Sequence, residues 1–134
     1  MAVLNLTERT SFNTEWDNIR ITDIIETKVG GAVLDTTGFP DSVIESGHIV
    51  IYKATTGAYK PMPIVTAQDG TKSYGTLPNG FAYFGFVIAT VLTKQPAVGI
   101  LTRGRVNPAA FKYKIDSIAS AVKTALPHIT FVTD

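Results

Sequence analysis

The side chains able to do chemistry are few, and each stands alone. Two histidines occur, His48 and His128, each where a strand is about to begin. Within four positions of His48 the only metal-type side chain is Glu45, and His128 has none. A zinc site needs three or four converging ligands. Both histidines therefore read as surface or capping residues beside turns, and no metal ion or other cofactor is expected. Ser46-Gly47-His48 sets a hydroxyl next to an imidazole. Triad partners meet in space rather than in sequence, and no serine here lies in a Gly-x-Ser-x-Gly turn. Gly30-Gly31 follows a strand-like segment, as a phosphate loop would. It runs into Ala32-Val33-Leu34 instead of further glycines and a helix, so it reads as a turn or bulge. The acids are scattered singly, with no sequence sign of the carboxylate pair that acid–base catalysis requires. Tyr52, Tyr59, Tyr74, Tyr83 and Phe84 have stacking faces but read first as core or interface aromatics. The expectation is a protein that is not an enzyme.

Bulk properties narrow the partners. The chain has 134 residues, enough for one domain that buries about two-thirds of its unfolded surface. Its 45% apolar content argues against disorder, and its 17% charged content is low for a small monomer. Net charge is +1, and the closest basic pairs, Arg103/Arg105 and Lys112/Lys114, form no stripe. Nucleic acid is not expected as a partner. There is no cysteine, which excludes disulfides and thiolate chemistry and fits a reducing cytoplasm. No apolar run approaches the roughly 18 residues of a membrane span, and the N-terminus lacks the features of a secretory signal.

The elements that would position these residues read as mostly β. Residues 1–18 form an arm, polar with scattered apolar anchors at Leu4, Leu6, Phe12 and Trp16; residues 19–134 form one β-rich domain. A β-branched, partly alternating strand is expected over 19–29, and others over 48–53 and 58–62. Pro61 and Pro63 put the latter at a sheet edge, because proline cannot donate to a ladder. Residues 66–80 carry two turn dipeptides and read as mostly loop. The aromatic, β-branched run 81–92 predicts a central strand, with Gly85 marking a bulge or a close backbone approach. Asn107-Pro108 opens a helix whose face is Phe111, Ile115, Ile118, Val122 and Ala125, ended by Pro127. Residues 129–132 make a last strand. The fold class is thus α+β, mostly β: a small barrel-like or β-clip-like domain of about seven short strands with one C-terminal helix.

Ala97, Val98, Gly99, Ile100 and Leu101 form an apolar strand broken by one glycine. In that strand, and in the helix and closing strand that follow, the chain resembles the phage head-decoration, or capsid-stabilising, proteins of the lambda type. Upstream, 47–62 is similar to the early hairpin of that family. The resemblance spans roughly 47–132. It implies a homotrimer on the outside of an icosahedral head, made in the host cytoplasm and resident in the virion. Its partners would be copies of itself and the major capsid protein. It implies that the arm, with Leu4, Leu6, Phe12 and Trp16, orders on the shell. The capsid-binding base of a head fibre is a related possibility. Two features depart from the family pattern: the arm has less Pro and Gly, and the C-terminal helix reads as longer. The competing expectation is a small β-barrel module that binds a peptide or carbohydrate in a groove lined by Tyr52, Tyr59, Tyr83 and Phe84.

Overall fold

A computed structural model describes residue 14 and residues 16–132. Five strands carry the architecture: β1 (Ile21–Thr27), β4 (Ile49–Lys53), β5 (Ala58–Pro61), β8 (Ala82–Val87) and β11 (Ile100–Val106). They form one sheet in the order β1-β11-β8-β4-β5, with β12 (Ile129–Phe131) parallel to the far end of β11. Among the described residues this sheet is open, with β1 and β5 at its edges, so the barrel-like expectation gives way to an open sheet with flanking pairs. Pro61 lies on the edge strand β5, where the missing N–H costs no ladder bond. Three smaller two-stranded pairs flank it: β2 (Ala32–Val33) with β10 (Ala97–Val98), β3 (Val43–Ile44) with β9 (Val91–Leu92), and β6 (Ile64–Thr66) with β7 (Lys72–Tyr74). The α+β, mostly β class is as the sequence reads. The strands outnumber those expected because short pairs grow around turns, as β6 and β7 do around Asp69-Gly70 within the stretch read as loop. No helix among the described residues is long and apolar enough to cross a membrane.

Alternation along β4 divides the core in two. Ile49 and Ile51 face the larger cluster, with Met62, Phe86, Leu101, Val106 and Val122. Val50 faces the smaller one, with Leu34, Ile44, Val87, Val98 and Ile100. The central strand β8 keeps both clusters supplied through a bulge. Its register on β4 slips between Val50 and Ile51, so Phe84 is the extra residue. The slip turns Phe84 toward the small core and Phe86 toward the large one, although both are even-numbered. A strict two-residue period would place them on one face.

The C-terminal helix differs from its expected bounds. Residues 108–110 make one 3-10 turn, 111–118 are irregular, and α2 covers only Ala119–Ala125. Phe111, Tyr113 and Ile115 are buried while Lys112 and Lys114 are exposed. That alternation belongs to an extended chain, and over 111–115 it prevails over the helical spacing. At the other end, a single helical turn, α1 (Asp17–Arg20), precedes β1, so the strand starts at Ile21. Asp17 anchors this turn: its Oδ1 accepts from the Thr90 hydroxyl at 2.7 Å and its Oδ2 from the Thr90 N–H at 3.0 Å. Asp17→Ala is expected to cost about 1–2 kcal/mol in urea unfolding, because it strands a buried threonine. An unchanged midpoint would show that α1 contributes nothing to the domain.

Candidate functional site

The strand that carries the family resemblance is a core element. Ala97 and Val98 pair with Val33 and Ala32, and Ile100 and Leu101 pair with Val87 and Phe86. Gly99 is the joint between the two ladders; its carbonyl accepts from the Ile88 N–H at 3.1 Å. Val98 and Ile100 fill the small core and Leu101 the large one. These five residues build the domain and present no reactive group.

The structure corrects the reading of His48 as a surface or capping residue. It is buried, ringed edge-on by Phe39, Tyr74 and Tyr113 at centroid distances of 5.3, 5.2 and 5.9 Å. Gly47, at φ +83°, makes the turn that delivers it; a side chain there would lie 2.5 Å from the Phe111 ring. The His48 Nε2 lies 3.0 Å from the Met62 carbonyl and donates to it when that nitrogen carries the proton. Burial pulls the imidazole pKa down to about 4, despite the Met62 bond and the nearby Asp41 carboxylate. The ring is therefore neutral at pH 7. His128 is exposed, as read.

Around this ring runs a polar network. The Tyr113 hydroxyl donates to Asp41 Oδ2, and Lys72 Nζ meets Asp41 Oδ1 at 3.0 Å. Lys112 bridges Asp41 and Glu45 at 3.5 and 3.2 Å, and Arg20 Nη1 meets Glu45 Oε1 at 2.9 Å. Burial opposes the Asp41 charge, but Tyr113 and Lys72 hold its pKa below the usual carboxylate range. Burial, then the Asp41 bond, pushes the Tyr113 phenol up; burial does the same to Tyr74, whose oxygen accepts from the Ile49 N–H. The network joins α1, the loop before β3, β7 and the 111–115 segment, so its evident work is structural. Ser46 Oγ is buried without a partner, so it makes no hydrogen bond to His48, whose Nε2 meets the Met62 carbonyl. The space among Ser46, His48, Tyr74 and Phe111 is about 10 Å³, room for one water and no substrate. Among the described residues no cluster of three or more His, Asp or Glu side chains could hold a metal.

Three of the four aromatics of the groove reading do meet. Tyr52, Tyr59 and Phe84 lie 4.6–5.6 Å apart, and Lys28 Nζ is 5.2 Å from the Tyr59 ring centre. Tyr83 packs on the opposite face, against the large core. The three rings are half-buried on one another, and Tyr59 and Phe84 pack against the small core. A larger, shallow hollow of about 390 Å³ lies elsewhere, between Pro108, Ile115, Lys123 and Phe131.

Of the arm anchors, Leu4, Leu6 and Phe12 lie outside the described residues. Trp16 is 46% exposed, with the Arg20 guanidinium 5.8 Å from its ring centre. It belongs to a pattern that the sequence reading missed. Seven large apolar side chains are exposed among the described residues, and six fall within residues 16–33: Trp16, Ile19, Ile24, Ile25, Val29 and Val33. The available signal was the adjacent pair Ile24-Ile25, which breaks the alternation and leaves an apolar side chain on either face of the strand.

No family model, no curated protein and no solved structure matches this chain.

Proposed function

We propose that this chain is a structural virion protein: a homotrimer that binds the outside of an icosahedral phage head and stabilises it, as a decoration protein or the base of a head fibre. The observation that carries the reading is the crowding of exposed apolar side chains into residues 16–33. Such a stretch on a folded domain marks a surface completed by another protein. The resemblance of Ala97, Val98, Gly99, Ile100 and Leu101 to the head-decoration strand supplies the kind of assembly. The chemistry suits that task. A cementing protein needs broad contacts rather than a reaction centre, and each contact can be weak because a trimer engages several capsid subunits at once. An extended arm adds main-chain hydrogen bonds with little demand on sequence.

Light scattering of the purified chain is expected to give a trimer mass. Co-sedimentation with expanded phage heads is expected to pellet the protein at saturating stoichiometry. Removing residues 1–13, which leaves α1 and the Asp17 bonds to Thr90 in place, is expected to weaken that binding at least about tenfold by loss of the anchoring arm. Wild-type protein left in the supernatant at micromolar concentration, as a trimer or as a monomer, counts decisively against the coat reading.

A further inference from the structure

The exposed apolar residues after α1 follow one continuous edge. β1 runs antiparallel along β11 from Ile21 opposite Val106 to Thr27 opposite Leu101. The Lys28 N–H then bonds the Ile100 carbonyl at 3.0 Å, and β2 resumes beside β10, with Ala32 opposite Val98 and Val33 opposite Ala97. The Leu34 N–H closes the run on the Pro96 carbonyl. β1 and β2 are thus two parts of one border, interrupted only by the turn at Val29, Gly30 and Gly31. At the usual rise per strand residue it is roughly 40 Å long. Ile24, Ile25, Val29 and Val33 stand along it at 51%, 63%, 93% and 71% exposure.

The two edges of the main sheet are treated in opposite ways. At β5, Pro61 removes a donor, and the Tyr59 carbonyl is already taken by the Asp35 N–H at 2.8 Å. That edge is closed to strand addition. The β1–β2 border carries no proline and keeps its isoleucines and valines in the open. Its charges are balanced in place: Asp23 lies opposite Arg105 and Glu26 opposite Arg103, all four exposed.

We infer that the β1–β2 border is the seam between subunits, occupied by a second copy of this chain. This rests on the proposed reading of the chain as a homo-oligomeric coat protein. A border with interleaved acids and bases offers no net field to a strongly charged partner. Its complement is a surface of the same neutral, aliphatic composition, which a second copy presents. One open edge and one closed edge also bound the assembly. Edge-to-edge growth from β1 to β5 is blocked, so copies joined at the border do not run on into a fibre by strand addition.

The test compares wild type with Ile25→Lys and Val33→Lys, and with Val65→Lys as a control at an exposed valine off the border. Light scattering gives the mass, and circular dichroism verifies that each variant is folded. A lysine desolvated in an apolar seam is expected to raise the dissociation constant of self-association by about 100-fold or more. Ile25→Lys and Val33→Lys should then run as folded monomers at micromolar concentration while Val65→Lys keeps the wild-type mass. Folded border variants that retain the wild-type mass overturn the inference and leave the coat reading standing. A monomeric wild type overturns it as well. A wild type that assembles through the border but ignores phage heads upholds the seam and removes the coat.

Discussion

Gly85→Ala is expected to lower the stability of the domain by about 2–4 kcal/mol, and its melting temperature by roughly 10 °C. The cause is steric and has nothing to do with a left-handed backbone. A methyl at Gly85 would overlap the Leu101 carbonyl oxygen and come within 2.8 Å of Ile100 Cγ2. The first of these is backbone in the central ladder of the sheet, so it cannot swing aside. Relief requires β8 and β11 to separate at the point where Ile100 and Leu101 pair with Val87 and Phe86. It also disturbs the bulge that sends Phe84 and Phe86 to different cores. Gly57 is the control. It has φ +70° in the turn between β4 and β5, with nothing within 4 Å of an added methyl. Gly57→Ala meets only the conformational cost of that φ, about 1–2 kcal/mol. Thermal melts of the two variants separate crowding from backbone preference; equal losses would refute the close packing of β8 on β11.

What the sequence disclosed follows the range of the forces involved. The β8 strand was legible because the run 81–92 is aromatic and β-branched, but the expected single strand ends at Val87, and Val91–Leu92 pair with β3 instead. The edge position of β5 was legible because proline carries its own veto. The helix was misjudged because Phe-Lys-Tyr-Lys-Ile over 111–115 satisfies two periods at once. Phe111, Ile115, Ile118 and Val122 fit a helix face, while Phe111, Tyr113 and Ile115 fit an extended chain. Only the tertiary partners decide between them: Gly47 and Phe86 against the Phe111 ring, and Asp41 at the Tyr113 hydroxyl. The same limit hid the site. Nothing local in Ser46-Gly47-His48 tells that Phe39, Tyr74 and Tyr113, from distant parts of the chain, will enclose the ring. Nor does the β-branched composition of β1 reveal that, among the described residues, no strand pairs with its outer side. That depends on strand order, which is a property of the whole sheet.

The enclosure of His48 gives the domain an acid limit. Unfolded, the imidazole takes up a proton near pH 6.5; folded, burial among three aromatic rings holds it off until about pH 4. Between those values the unfolded chain binds more protons than the native one. Stability is therefore complete above pH 6.5, falls as the pH drops toward 4, and levels off below that with respect to this group. The gap corresponds to about 3 kcal/mol, a large share of what a small domain possesses. Asp41 is held below its ordinary 3.8, so its own contribution is lost at lower pH still. Urea titrations from pH 7.5 to 4 should show the free energy of unfolding decline with a slope approaching one proton. His48→Gln keeps an N–H able to reach the Met62 carbonyl but cannot titrate. It should begin less stable at pH 7 and stay nearly level down to pH 4, so that the two curves converge on acidification. Parallel curves would mean that the native imidazole protonates as freely as the unfolded one. That result would be irreconcilable with a ring sealed between Phe39, Tyr74 and Tyr113.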